Sequence, residues 1–145
     1  MNAELSTLRE YEVRIPCPGA EICGDVAIPA GAHGLVIFAH GSGSSRLSPR
    51  NRMVAEQMHH HQLATLLFDL LTPEEAMSES RTGELRFNIP FLTDRLLAAI
   101  KWAGQEKNIG NLGIGLFGAS TGAAAALCAA ARVPEVQAVV SRGGR

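Results

Sequence analysis

The chain has little of what marks several protein classes. Its 145 residues include three cysteines, Cys17, Cys23 and Cys128, an odd number at spacings that fit no zinc site. Neither a disulfide framework nor a metal centre is therefore expected, and reduced thiols in a cytoplasm fit best. Aromatic residues make up 5% and the formal net charge is −1, so there is no basic stripe interleaved with aromatics and no nucleic-acid partner is expected. Long apolar runs are missing too. The most apolar region, residues 119–133, is interrupted by Ser120, Thr121, Gly122 and Arg132, too short and small-sided for a spanning helix, so no membrane partner is expected. Residues 1–10 carry Glu4, Arg9 and Glu10 without an apolar signal region, and secretion is not expected.

What is present is a core. With 46% hydrophobic and 19% charged residues, the composition is that of one folded domain. Residues 11–16 and 21–28 read as two strands around the turn signal Pro18-Gly19, an opening hairpin. Continuous apolar runs at 34–39, 63–70 and 112–117 read as strands covered on both faces, and 136–141 as a further strand. Ser48 as N-cap with Pro49 at the first helical position starts a helix up to His61, with Met53, Val54 and Met58 on one face. Leu92, Leu96, Ala99, Ile100 and Ala103 recur at helical spacing across 91–102, and 121–132 forms a third helix, stopped by Pro134, in which Cys128 is expected to pack. This alternation predicts an α/β three-layer sandwich, a mainly parallel sheet with an N-terminal hairpin and helices on both faces. The polar stretch 72–88 is expected to be a long loop over the carboxyl edge of the sheet.

The chemistry centres on Gly118-Ala119-Ser120-Thr121-Gly122, a G-x-S-x-G run between the 112–117 strand and the 121–132 helix. A strand that passes at once into a helix needs a sharp turn with strained dihedrals at the serine and small residues two positions either side, which Gly118 and Gly122 provide. The turn would lift the Ser120 hydroxyl above the sheet and aim the Thr121 N–H, at the positive end of the helix, at developing negative charge. His40-Gly41-Ser42-Gly43-Ser44 is a second glycine-rich turn at the end of a strand. A backbone N–H near Ser42 is expected to be the other oxyanion donor, a contact whose loss typically costs ~3 kcal/mol.

With the His40-Gly41 loop, the elbow and the strand end Phe68-Asp69-Leu70-Leu71-Thr72-Pro73-Glu74-Glu75, the chain resembles the α/β-hydrolase fold family, in particular its dienelactone-hydrolase-like group. The resemblance runs from about Tyr11 to Arg145. It implies hydrolysis of ester, thioester or lactone bonds in a small-molecule substrate, through an acyl-Ser120 intermediate and without a cofactor. Members most like dienelactone hydrolase use cysteine at the position that Ser120 holds here. In the family an acid and then a histidine follow the nucleophile, yet after Ser120 this chain has no Asp, no His and only Glu135, expected at the amino edge of the sheet. The expectation is a single, C-terminally incomplete hydrolase domain over residues 1–145, weak or inactive as it stands.

Other readings of the same residues are open. His40 could act as base or brace loops; His33 belongs at the wrong edge; His59-His60-His61 suits a helix end better than a metal; Asp69 is a structural hydrogen-bonder or a triad acid. Arg46, Arg50, Arg52, Arg142 and Arg145 could face one crevice and bind an anionic substrate group, with Arg46 and Arg142 as the main candidates. Gly113, Gly115 and Gly118 spell a dinucleotide fingerprint but fall inside a strand rather than opening a helix. The alternative to an enzyme is a non-catalytic hydrolase-like module that self-associates through an exposed edge at residues 136–141.

Overall fold

Adjacent residues of the apolar runs go to opposite faces of one sheet, and that builds both sides of the core. In the computed structural model, which describes residues 7–143, Ile37, Leu66 and Leu116 join one buried cluster, while their neighbours Phe38, Leu67 and Phe117 join a second. The strands are β1 (Arg9–Cys17), β2 (Ala20–Ile28), β3 (Gly34–Ala39), β4 (Leu63–Phe68), β5 (Gly113–Ala119) and β6 (Val136–Arg142), in the sheet order β1-β2-β4-β3-β5-β6. β1 and β2 form the expected hairpin, β2 meets β4 antiparallel, and β3 pairs in parallel with β4 and β5, as β5 does with β6. The fold is thus α/β with a mainly parallel sheet. The glycines of the dinucleotide-like fingerprint lie within β5, so they open no helix.

Four helices complete the layers among the described residues: α1 (Pro49–His60), α2 (Pro73–Thr82), α3 (Ile89–Gln105) and α4 (Thr121–Arg132). The larger cluster lies with α3 and α4, where Leu92, Leu96, Ala99, Ile100 and Ala103 are all buried as their spacing predicts. Each large aliphatic side chain removed from water there contributes roughly 1.5–3 kcal/mol. On the opposite face Ala55 of α1, with Val54 and Met58, covers Phe38, Leu67 and Phe117.

Three local expectations are corrected. Met53 does not share the buried face of α1: it is 65% exposed, because it stands two residues, about 200° of helix, from Ala55. Cys128 is exposed rather than packed, since the buried stripe of α4 runs through Ala123, Ala125, Ala126 and Ala129. A helix built mostly of alanine offers little polar contrast from which that stripe could be read. The stretch expected as a loop holds α2, started by a complete capping box. The Thr72 hydroxyl accepts from the Glu75 N–H, the Glu75 carboxylate accepts from the Thr72 N–H, and Pro73 stands in the first turn. The segment does lie at the carboxyl end of the sheet, where its Arg86 carbonyl accepts from the Ser42 hydroxyl.

Candidate active site

One residue separates β5 from α4, and the geometry forces it into an unusual backbone state. Ser120 has φ 55° and ψ −121°, a left-handed conformation that costs on the order of 1–3 kcal/mol for a residue with a side chain. Two backbone bonds hold it: its N–H donates to the Arg142 carbonyl at 2.9 Å, and its carbonyl accepts from the Ala123 N–H at 2.9 Å. A Cβ on Gly118 would lie 2.5 Å from the Ala123 Cα, and one on Gly122 would overlap the carbonyl oxygens of Ala39 and His40. Gly41 is less tightly placed, since a Cβ there would lie 3.1 Å from the Ser120 Cβ. The glycines are what allow the end of β3, the elbow and the start of α4 to stack.

The half-buried Ser120 opens into a cleft of about 480 Å³, lined also by Gly41, Ser44, Arg50, Asn51 and Arg142. Among the described residues no histidine or carboxylate lines it. The Ser120 side chain caps no N–H of α4.

The two expected oxyanion donors are brought together, but in different states. Thr121 holds the first position of α4, where its N–H has no intrahelical acceptor. The Ser42 N–H, in contrast, donates to the Thr121 hydroxyl at 3.1 Å. That hydroxyl lies 2.9 Å from Ser42 Oγ, which itself donates to the Arg86 carbonyl at 3.1 Å, so Thr121 Oγ1 is the donor of the pair. As it stands, the Ser42 N–H is spent on Thr121 and not displayed to a substrate.

His40 is a brace. It is buried, with Nδ1 2.8 Å from the Gly41 carbonyl and Nε2 accepting from the Leu70 N–H at 3.0 Å, which fixes the proton on Nδ1 and leaves no nitrogen for proton transfer. Burial pushes its pKa below the ordinary histidine value, and the Gly41 contact and the Asp69 charge do not reverse this. His59 is likewise held low by burial and bonds Thr65 Oγ1 at 2.8 Å, while His33 reaches the His61 carbonyl from the opposite end of β3. Glu135 is exposed in the turn before β6, at the amino end of the parallel strands and away from Ser120.

Asp69 serves structure, and so does Arg46. Asp69 accepts the Arg46 backbone N–H at 2.8 Å and its guanidinium at 2.6 Å; the same guanidinium also donates to Asp25 at 3.2 Å and Glu12 at 3.1 Å. The expectation that Arg46 binds a substrate anion is therefore corrected: three protein carboxylates have taken its donors, and it does not line the Ser120 cleft. Arg52 is spent on Asp25 at 2.6 Å. Arg142 is different. It lines the cleft, and among the described residues it has no acidic partner. Arg145 and Glu4 lie outside the described residues.

A further ion pair supports this end of the sheet and was not foreseen. Arg95 of α3, 8% exposed, donates to both Glu75 oxygens at 2.7 and 2.8 Å and to the Leu70 carbonyl at 3.1 Å. Burial works to raise the Glu75 carboxyl, but hydrogen bonds from Arg95 and Thr72 together hold it below the ordinary range. The capping-box pattern Thr72-Pro73-Glu74-Glu75 announces the helix; its second use, as the seat of Arg95, has no signal in the sequence.

A crystal structure of dienelactone hydrolase from Anabaena variabilis is 54% identical with a TM-score of 0.93, over 96% of this chain and 65% of that one. A dienelactone hydrolase-like promiscuous phosphotriesterase from metagenomic libraries matches at TM-score 0.76 and 16% identity, over 95% of this chain and 60% of that one. An esterase from Pyrococcus furiosus matches at TM-score 0.76 and 23% identity, over 99% of this chain and 53% of that one. These two speak for the fold alone. In sequence, a Mycobacterium tuberculosis protein that bears the name "Putative phosphoribosyl transferase" is 49% identical over 140 residues, 95% of this chain and 30% of that protein. The chain thus spans under a third of that curated relative and 65% of the Anabaena enzyme. No protein-family model matches.

Proposed function

We propose that the chain, which has the α/β-hydrolase fold and is similar in sequence to the Anabaena dienelactone hydrolase, carries the nucleophile half of a serine hydrolase for ester, thioester or lactone bonds. The observation behind this reading is the Ser120 backbone, strained at φ 55° and ψ −121° and held over an open cleft. Strain of that size persists only where the surroundings enforce it. Ser120 Oγ would attack the acyl carbon, the leaving alcohol or thiol would depart with a proton, and water would then hydrolyse the acyl-Ser120 ester. The Thr121 N–H would receive the oxyanion, joined by the Ser42 N–H once the Thr121 hydroxyl releases it.

Activation is the missing part. Among the described residues no base lines the cleft, so turnover by this chain rests on the oxyanion donors and binding, which alone give roughly 10³-fold over water in triad-less hydrolases. A fluorophosphonate probe tests the reading by mass spectrometry. The expected result is a slow adduct at Ser120, absent in Ser120→Ala; a wild-type chain that stays unlabelled under conditions that label an ordinary serine esterase overturns it. A cytoplasmic location belongs to the same proposal, and among the described residues no helix is long and apolar enough to cross a membrane.

One observation favours a second reading, a non-catalytic module that associates with another copy of itself. β6 is an edge strand of the described sheet, with Val140 48% exposed and Gln137, Ala138 and Ser141 also outward. Light scattering decides it: a dimer that Val140→Lys dissociates supports the module, and a stable monomer rejects it.

A further inference from the structure

One buried carboxylate lies beside the oxyanion loop without lining the Ser120 cleft. Glu79 of α2 is 6% exposed, and its Oε1 accepts the Leu85 N–H at 2.6 Å. Its Oε2 is buried without a hydrogen-bond partner; the Arg86 guanidinium stands 3.4 Å away, a charge contact only. A buried carboxylate oxygen without a donor is costly, and such groups are kept where something depends on them. What Glu79 holds is the strap 83–88, which turns away from α2 at Gly83, φ 68°, and leads into α3. Glu84, Arg86, Phe87 and Asn88 of the strap are exposed, and between it and the oxyanion loop lies a cavity of about 20 Å³, room for one water. That gap means that polar contacts, more than packing, tie the strap to the loop. The tie is the Arg86 carbonyl, which accepts from Ser42 Oγ at 3.1 Å.

That carbonyl sets the direction of the hydrogen bonds around it. Because it can only accept, Ser42 Oγ must donate to it; Thr121 Oγ1 then donates to Ser42 Oγ, and its lone pairs are left for the Ser42 N–H. Without the carbonyl the order can reverse, with Ser42 Oγ donating to Thr121 Oγ1 and competing there with its own N–H. We propose that Glu79 is a positioning residue for the oxyanion loop: through Leu85 and Arg86 it holds Ser42 against Thr121, and loosening the strap turns the Ser42 N–H out for an oxyanion. Glu79 acts through the strap and not on the substrate. The inference rests on the nucleophile reading for the reaction that this N–H serves, whereas the hydrogen-bond chain stands without it.

Amide hydrogen exchange followed by ¹⁵N NMR reads the tie without needing turnover. In Glu79→Ala the Ser42 amide should exchange about tenfold faster, the weight of one hydrogen bond, and Glu79→Gln, which keeps an oxygen for the Leu85 N–H, should hold the wild-type rate. Ser42→Ala cuts the same tie at its other end and serves if Glu79→Ala fails to fold. There the residue 42 amide should again open, corrected for its intrinsic rate, while that of Leu85 stays protected. Labelling of Ser120 by the fluorophosphonate probe gives the second readout. It should rise severalfold in Glu79→Ala and in Thr121→Val, which removes the acceptor outright, and no further when the two are combined. A carboxylate with a merely structural role would leave labelling unchanged or slow it. A residue 42 amide that stays protected in either folded variant overturns the proposal and leaves the hydrolase standing where wild type labels. A faster amide with labelling unchanged or slowed, where wild type labels, overturns it too. A faster amide on a chain whose Ser120 labels in no variant would retain the tie and reject the hydrolase.

Discussion

Two regions meet at the carboxyl end of this sheet, and they use their polar groups differently. Around Asp69 and Glu75 the groups are paired: Arg46 meets three carboxylates, Arg95 grips both oxygens of Glu75, and each His40 nitrogen has one partner. Around Ser120 the accounts are open, with a strained serine, an orphaned Arg142 Nη1 and a second arginine in the same cleft. Paired groups fix loops in place, and unpaired ones wait for something. The difference separates architecture from candidate chemistry within a few residues of one another, although both regions contain the same residue types.

The contrast can be broken by substitution, and the largest effect belongs to the paired region. Arg95→Ala leaves the Glu75 carboxylate and the Leu70 carbonyl without their partner, and should cost about 3–5 kcal/mol in urea unfolding. A loss below 1 kcal/mol would mean that the pair is ornamental. The opposite sign is expected at the elbow. Ser120→Gly removes the side chain from a backbone state suited to glycine and should stabilise the chain by roughly 1–3 kcal/mol, while abolishing probe labelling. A destabilised glycine variant would show that Ser120 carries no stored strain.

A smaller effect comes with pH. Burial holds His40 and His59 below their ordinary value, so the unfolded chain binds protons where the folded one resists them. Stability should be fully present above about pH 6.5 and fall as the pH drops from there towards the folded-state values. Denaturation midpoints on either side of that pH check it, and His40→Asn should flatten the slope. The smallest effect is predicted for Arg50→Gln, within about 0.5 kcal/mol, because an exposed arginine with no acidic partner among the described residues contributes little to folding. A larger loss would place Arg50 with the paired group.

Much of this contrast was legible before the fold was known, though unevenly. Gly118 and Gly122 flank Ser120 at the spacing an elbow demands, and the structure explains both by the carbonyls that a Cβ would strike. Ser48 and Pro49 started α1 as read. Thr72-Pro73-Glu74-Glu75 carried an equally explicit helix start, and its polar character hid it. Arg46 and Arg142 were indistinguishable as letters. What separates them is that Glu12, Asp25 and Asp69, scattered over three strands and strand ends, converge on one and not on the other.

The sequence by itself determined the alternation of strands and helices, the hairpin and the sharp turn at Ser120, because those follow from periodicity, caps and the sterics of neighbouring residues. Only the tertiary structure decided that the Ser42 N–H is spent on Thr121, that His40 is locked by Gly41 and Leu70, and that Arg142, beside the nucleophile, meets Asn51 and no carboxylate among the described residues. Each of these depends on atoms brought together from distant parts of the chain. Hydrogen bonds and ion pairs act over a few ångströms, and it is the stacking of β3, β4, β5 and β6 that sets which groups come within that reach.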